Sequence, residues 1–480
     1  MILCPSCLCY HHPTMKKISY PALLLLMMVV TQANAASLDD PFSVSALMAP
    51  SPADAGICDN RIEGKLLTLA DVIQISLCNN PQTRVAWASA RTAAAVLGAS
   101  HASQLPTLSL NGSADHTAAA TGAVHSIANR QSGSLSLSYL LYDFGGREAG
   151  IDNARALLTA ANASGNATLQ TLFLDAAQAY LSLISARAAV EASRSSEASA
   201  RESLAAAVAR YQAGSATPAD RLQAKTALAQ ATLTRVTAEG TMYNALGTLA
   251  NAMGVAPTLA LDFAELPQAR PDIKTEENVA ELIRGAQQQR PDLLAAEAGI
   301  DAAEAGIASV RASGMPQLTI DAAVADSRNS TAGGTTANTR SGNIALNISF
   351  PIFTGFKTTY QTLAAEARLE NSIASRDLLA RQIELQVWQA YHNLRSKGEA
   401  LRTAADLLAS AGESEAMSLG RYQEGVGNII DLLTAQSAMA SARQQHVSAL
   451  YSWHAARFAL AQAIGALDLD ALQQIRHMEQ

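Results

Sequence analysis

The sequence predicts a mainly α-helical protein that also carries membrane β-strands, written as one unit duplicated. Three observations lead there. Of 480 residues, 49% are hydrophobic but only 5% aromatic and 16% charged. Ala and Leu therefore carry the apolar surface, which suits slender helices packed through small side chains. Residues recur about 210 positions apart along the chain. Segments near the start of each copy alternate apolar with hydroxyl- or amide-bearing residues at period two. The net charge of −7, with no long basic run, excludes nucleic acid as a partner.

Residues 1–35 read as a secretory signal peptide. Lys16 and Lys17 precede the apolar run "ALLLLMMVV" at 22–30 and the small-residue cleavage site "ANAA" at 33–36. Met15 is the expected start, which leaves Cys4, Cys7 and Cys9 untranslated or cleaved off. An extended segment, 36–68, follows. Cys58 and Cys78 remain in the mature chain, and an exported pair predicts a disulfide. The alternative is two buried free thiols. A bridge would close a loop of about twenty residues, worth roughly 3 kcal/mol, and pin the extended segment to the helix starting near Leu69. No Cys ends the apolar run, so no lipid anchor is expected there.

The duplication is legible residue by residue. Pro81 matches Pro291, Pro106 matches Pro316 and Gly145 matches Gly355, each at a shift of 210. Tyr180 and Tyr391, Tyr211 and Tyr422, Asp220 and Asp431, and Gly254 and Gly465 match at 211. A unit of this size is far longer than the 20–50 residues of solenoid repeats. The expected units are 69–254 and 278–465, separated by a linker at 255–277 and followed by a tail at 466–480. The linker holds three prolines and reads as carrying a short strand.

Each unit runs in the same order. A helix of about 30 residues (69–102; 278–312) ends before a Pro. A β-hairpin follows, over 105–144 in one unit and 316–354 in the other. Leu135, Leu137 and Tyr139 alternate with Ser134, Ser136 and Ser138, and Ile344, Leu346 and Ile348 with Asn343, Ala345 and Asn347. The alternation slips at Tyr139–Leu140, which predicts a bulge. From Gly146 to Tyr211, and from Phe356 to Tyr422, the chain is helix-compatible for about 100 Å at 1.5 Å per residue. A return helix then runs to Gly254 or Gly465.

Between each long helix and its return lies a punctuated turn, "ARYQAGSATPAD" at 209–220 and "GRYQEGVGNIID" at 420–431. Gly costs about 1 kcal/mol against Ala inside a helix. Gly214, Gly425, Gly427 and Asn428 therefore mark chain reversals, with tips near 211–220 and 422–431.

The mature chain has no apolar run of 18 residues, which excludes a spanning helix but not a β-barrel. Four strands cannot close a barrel, for which about eight is the working minimum. A lipid-facing reading therefore requires several chains to share one, two giving eight strands and three giving twelve. The alternative is a soluble sheet covered by helices.

Signal peptide, duplicated unit, half-polar hairpins, Ala-rich helices and paired "RYQxG…D" turns together resemble the TolC family of outer-membrane factors, from about Leu66 to Gly465. The most specific pieces are "RYQEGVGNIIDLLTAQ", "RYQAGSATPADRLQAK" and the corners "YDFGGR" and "FPIFTGFK". The resemblance implies a homotrimer in the outer membrane of a Gram-negative bacterium, with a large periplasmic part. Its twelve strands would form one barrel in the lipid, and its twelve helices a tunnel roughly 100 Å long. It also implies a periplasmic adaptor protein and an inner-membrane transporter as partners, with no enzymatic activity and no cofactor.

Within that resemblance the two turns ring the periplasmic mouth. Asp431 matches a carboxylate that constricts the aperture, and Asp220 and Tyr422 match a latch in which the Asp hydrogen-bonds to the Tyr. Arg210, Tyr211, Gly214, Arg421, Gly425, Gly427 and Asn428 form the tip turns, where an adaptor would make contact. Two departures stand out. Thr434 replaces a second Asp, and Gly427 replaces an Arg. Read alone, Asp431 is also an ordinary acidic residue at a helix N-terminus, and Tyr211 and Tyr422 are also packing residues.

The functional reading is an exit duct for export, with small molecules as the expected cargo. Type I protein secretion is the alternative, and a secreted coiled-coil scaffold is a reading of a different class. The polar-faced strand pairs argue against the scaffold. The chain shows no nucleophile elbow, phosphate loop or paired histidine ligands.

Overall fold

Proline sets the first boundary in each unit. The computed structural model describes residues 40–49, Cys58, 65–121, 124–264, 278–331 and 336–467. A two-residue strand, β1 (Leu66–Leu67), leads into α1 (Leu69–Asn79) and α2 (Pro81–Ala102). The single helix expected over 69–102 is thus two helices. Pro81 has no N–H to donate and pushes the residue before it out of the helical region. Asn80 accordingly sits at φ −63°, ψ 129°, and its side chain accepts the N–H of Gln82 at 2.9 Å. The helix expected over 278–312 breaks the same way before Pro291, with Arg290 at φ −67°, ψ 124°.

The rest of the first unit is β2 (Thr107–Thr121), β3 (Val124–Tyr142), α3 (Gly146–Gln212) and α4 (Pro218–Ala252). The linker contributes β4 (Asp262–Phe263), which pairs in parallel with β1. The second unit is α5 (Val279–Gln289), α6 (Pro291–Ala312), β5 (Gln317–Thr331), β6 (Ala337–Ser349), α7 (Lys357–Gln423) and α8 (Ile429–Ala463). The signal peptide, with Met15 and Cys4 to Cys9, lies outside the described residues, as do 265–277 of the linker and 468–480 of the tail.

Strands β2, β3, β5 and β6 form one antiparallel sheet in that order. Leu108 and Leu110 pair with Leu137 and Leu135, these with Ala322 and Val324, and Ala322 in turn with Ile344. One face of the sheet is therefore an apolar band. It is bare, with Leu110 80% and Ile344 79% exposed. On the other face Ser109 bonds Ser136 at 2.7 Å and Asn347 donates to Asp321 at 2.6 Å. The predicted bulge falls slightly later than Tyr139–Leu140. Register shifts between Leu140 and Tyr142, making Leu141 the extra residue, and the slip keeps apolar residues on the outer face. Among the described residues β2 pairs only with β3 and β6 only with β5, so two long edges stand open.

At the sheet's helix end the chain turns through Phe144 and Phe356, both at positive φ. Tyr142 packs edge-on to Phe144 at 4.8 Å and Phe353 to Phe356 at 5.5 Å, all four exposed. At the other end the ion pair Arg340–Asp326, 2.8 Å, closes the apolar band. α3 and α7 carry the fold away from the sheet, 67 residues each, about 100 Å. No helix among the described residues is long and apolar enough to cross a membrane.

The main core sits where α1 crosses the middle of α3. Val72, Ile73 and Leu77 pack there on Phe173, Tyr180 and Leu183, with Leu249, Met253 and Phe263. The return helices dock on the proline breaks. Asn80 donates to the carbonyl of Ala252 at 3.1 Å and Arg290 to that of Ala463 at 3.2 Å. A Cβ at Gly254 would lie 2.8 Å from the Asn79 carbonyl, so only glycine fits that junction. The N-terminal segment lies along α2 and α3, its Val44 set among Ala94, Leu97, Ile151, Ala154 and Leu158. Cys58 and Cys78 are disulfide-bonded, their Cα atoms 5.8 Å apart.

Candidate functional site

The two tips lie side by side. Ala207 of α3, Ala224 of α4, Tyr422 of α7, and Ile429 and Leu432 of α8 form one small buried cluster. Just above it Gln436 donates to Ser203 at 2.9 Å, and higher still Arg443 donates to Ser195 at 3.1 Å. The seam between the two hairpins is thus small-residue packing with a few polar contacts.

The first tip closes on itself. α3 ends in a Schellman-type turn, with Ser215 N–H donating to the Arg210 carbonyl at 2.9 Å across Gly214, whose φ is +75°. α4 then begins with a reciprocal capping box. Thr217 N–H donates to the Asp220 carboxylate at 2.8 Å, and Asp220 N–H to Thr217 Oγ1 at 3.2 Å. Pro218 stands at the first helical position. Tyr211 is exposed, with the Arg221 guanidinium 4.8 Å above its ring.

The second tip repeats the turn with a different start. Val426 and Gly427 N–H both donate to the Arg421 carbonyl, at 3.1 and 2.9 Å, across Gly425 at φ +82°. A Cβ at Gly427 would lie 3.0 Å from Tyr422 N and 3.1 Å from Arg421 C. Any side chain at this position would press on the backbone of the turn. Asn428 caps α8 by accepting the Asp431 N–H at 2.8 Å. Asp431 is exposed, and among the described residues its carboxylate has no partner.

The hydrogen bond expected between Asp220 and Tyr422 is not made within the chain. Asp220 is turned to Thr217. Tyr422 is 3% exposed, and its hydroxyl has no hydrogen-bond partner among the described residues. What crosses between the tips is Arg210, whose guanidinium lies 4.5 Å over the Tyr422 ring. Its role was not visible from its own surroundings in the sequence. The signal lay in the duplication, where Arg221 corresponds at a shift of 211 to Leu432, so Tyr422 lacks the arginine its counterpart has.

A family model described as outer membrane efflux protein matches residues 72–255 and again 282–466. Protein CyaE of Bordetella pertussis is 31% identical over 420 residues, 87% of this chain and 86% of its own. Outer membrane protein TolC of Vibrio cholerae is 26% identical over 324 residues, 66% of this chain and 73% of its own. The crystal structure of the Campylobacter jejuni CmeC outer membrane channel superposes with a TM-score of 0.72 at 18% identity, covering 85% of this chain and 88% of that one. That likeness is one of fold.

Proposed function

The chain belongs to the outer membrane efflux protein family, and from that premise we propose that it is the outer-membrane exit duct of a tripartite export system, working as a homotrimer. It sits in the outer membrane, with its long helices in the periplasm. The observation that carries the trimer is the sheet, which has a bare apolar face and two open edges. An open edge in lipid leaves backbone N–H and C=O groups without partners, each costing several kcal/mol. Pairing β6 of one copy with β2 of the next removes every edge once the ring closes. Three copies make twelve strands, comfortably above the minimum for a barrel. The exposed aromatic corners at Tyr142, Phe144, Phe353 and Phe356 then form a girdle at the inner headgroup level.

In this reading the helices from three copies enclose a tunnel whose periplasmic mouth is the ring of tips. Three Asp431 carboxylates face its axis, where unpaired negative charge gathers cations. A periplasmic adaptor docks on the tips and an inner-membrane transporter supplies the work, while the duct conducts passively. Small molecules are the proposed cargo, selected by the transporter.

Light scattering in mild detergent, followed by planar-bilayer recording, tests the proposal. A mass of three chains and a cation-preferring conductance are expected. A monomeric mass would overturn the shared barrel, a dimeric mass would overturn the twelve-stranded trimer, and a trimer that conducts nothing would overturn the duct. Crosslinking from the tips in intact cells should recover an adaptor. Export of a protein, with no change in small-molecule tolerance on deletion, would replace the proposed cargo.

A further inference from the structure

We propose that the tips of this chain are clamped together by Arg210 on Tyr422, and that Asp220 takes no part in closing the mouth. The proposal rests on the reading of the tips as the periplasmic mouth. Arg210 belongs to the first hairpin and Tyr422 to the second, so their contact spans the seam that must part for the mouth to widen.

The slot for Arg210 is built by the second tip. Its guanidinium lies 4.5 Å over the Tyr422 ring, and a Cβ at Gly425 would come within 3.1 Å of its terminal nitrogen. The missing side chain at Gly425 therefore gives the guanidinium its room. Beneath, the ring is buried on Ala207, Ala224, Ile429 and Leu432. A cation over the face of an aromatic ring is attracted by the ring's quadrupole, and burial of the ring's far side strengthens the contact.

The duplication explains why the pair crosses. In the first hairpin Tyr211 is covered by Arg221 of that same hairpin, at 4.8 Å. The position matching Arg221, 221 + 211 = 432, holds a fully buried Leu432. The second hairpin thus cannot cover its own tyrosine, and Arg210 arrives from the first. Asp220 accepts the Thr217 N–H at 2.8 Å and makes no hydrogen bond to the Tyr422 hydroxyl.

The clamp reverses the expected effect of one substitution. A latch made by the Tyr422 hydroxyl would be lost in Tyr422→Phe. Here that hydroxyl is buried with no hydrogen-bond partner among the described residues, which is unfavourable in itself. Phe keeps the ring and removes the orphan, so Tyr422→Phe leaves the mouth as closed as before, or more so.

Planar-bilayer recording of the purified full-length protein decides the matter, with mass and heat stability checked for every variant. Wild type that forms no pore would count against the reading of the tips, whereas the clamp is judged from variants relative to a conducting wild type. Arg210→Gln should raise the open-to-closed ratio about two- to five-fold per tip. Arg210→Lys should lie between Gln and wild type. Tyr422→Leu should match Arg210→Gln, and the double variant should add little to either, as expected for residues that act as a pair. Tyr422→Phe and Asp220→Asn should not raise the ratio. Opening by Tyr422→Phe equal to that by Arg210→Gln, or an Arg210→Gln channel that gates like wild type, would overturn the clamp.

Discussion

The Asp220 carboxylate accepts the Thr217 N–H at 2.8 Å while Thr217 Oγ1 accepts the Asp220 N–H at 3.2 Å. The acid at the first tip is therefore a cap for α4. Asp220→Ala should cost about 1 kcal/mol of local stability. Hydrogen exchange should quicken over the first turn of α4 while ion selectivity stays unchanged. Unaltered exchange in that turn would refute the cap.

Asp431 stands 211 residues on and is the inverse case. Asn428 supplies the cap and asks only for the Asp431 backbone N–H, 2.8 Å away. Asp431→Ala should leave stability within about 0.5 kcal/mol, the usual range for an exposed site. It should also weaken cation selectivity. At about 1 kcal/mol per close ion contact in water, losing three carboxylates should relax block by multivalent cations tenfold or more. Reversal potential in a salt gradient is the measurement, and an unchanged value would make Asp431 a solvated helix-end residue.

Cys58 and Cys78 join the N-terminal segment to α1 across a separation of 20 residues. Closing such a loop should stabilise the fold by about 3 kcal/mol. Cys58→Ser, or reductant on the wild type, should lower the denaturation midpoint accordingly and expose the segment around Val44 to protease. Equal midpoints with and without reductant would show that the bridge contributes nothing.

Much of this architecture was legible because its signals are periodic. Alternation at Leu135 to Tyr139 and at Ile344 to Ile348 marks strands whatever surrounds them, and Gly425 and Gly427 mark a reversal. The breaks at Pro81 and Pro291 were equally visible, since proline is favoured at a helix start and disfavoured inside one, but the helix-compatible residues on both sides masked them. The capping box was legible as Thr217-x-x-Asp220, yet resemblance drew Asp220 toward Tyr422. Arg210 was hidden for a different reason. Its partner lies 212 residues away (422 − 210 = 212) on another hairpin, and a cation over a ring has no spacing rule to betray it.

His454 offers a prediction that depends on neither the mouth nor the membrane. It is buried on α8, its ring 4.9 Å from that of Trp453. Burial, and then the charge of Arg457, push its pKa down from 6.5 to about 4. The folded chain thus holds this imidazole neutral, while the unfolded chain takes up a proton near pH 6.5. Stability from this group is complete above pH 6.5, falls as pH drops toward 4, and loses no more below that. The loss amounts to at most about 3 kcal/mol per chain. His454→Leu, which cannot titrate, should flatten the stability profile between pH 6.5 and 4 while leaving the carboxylate-driven decline at lower pH. Denaturant midpoints taken every half unit of pH would show it. A variant whose acid limb superposed on that of wild type would mean that His454 is protonated in the folded chain as readily as in the unfolded one.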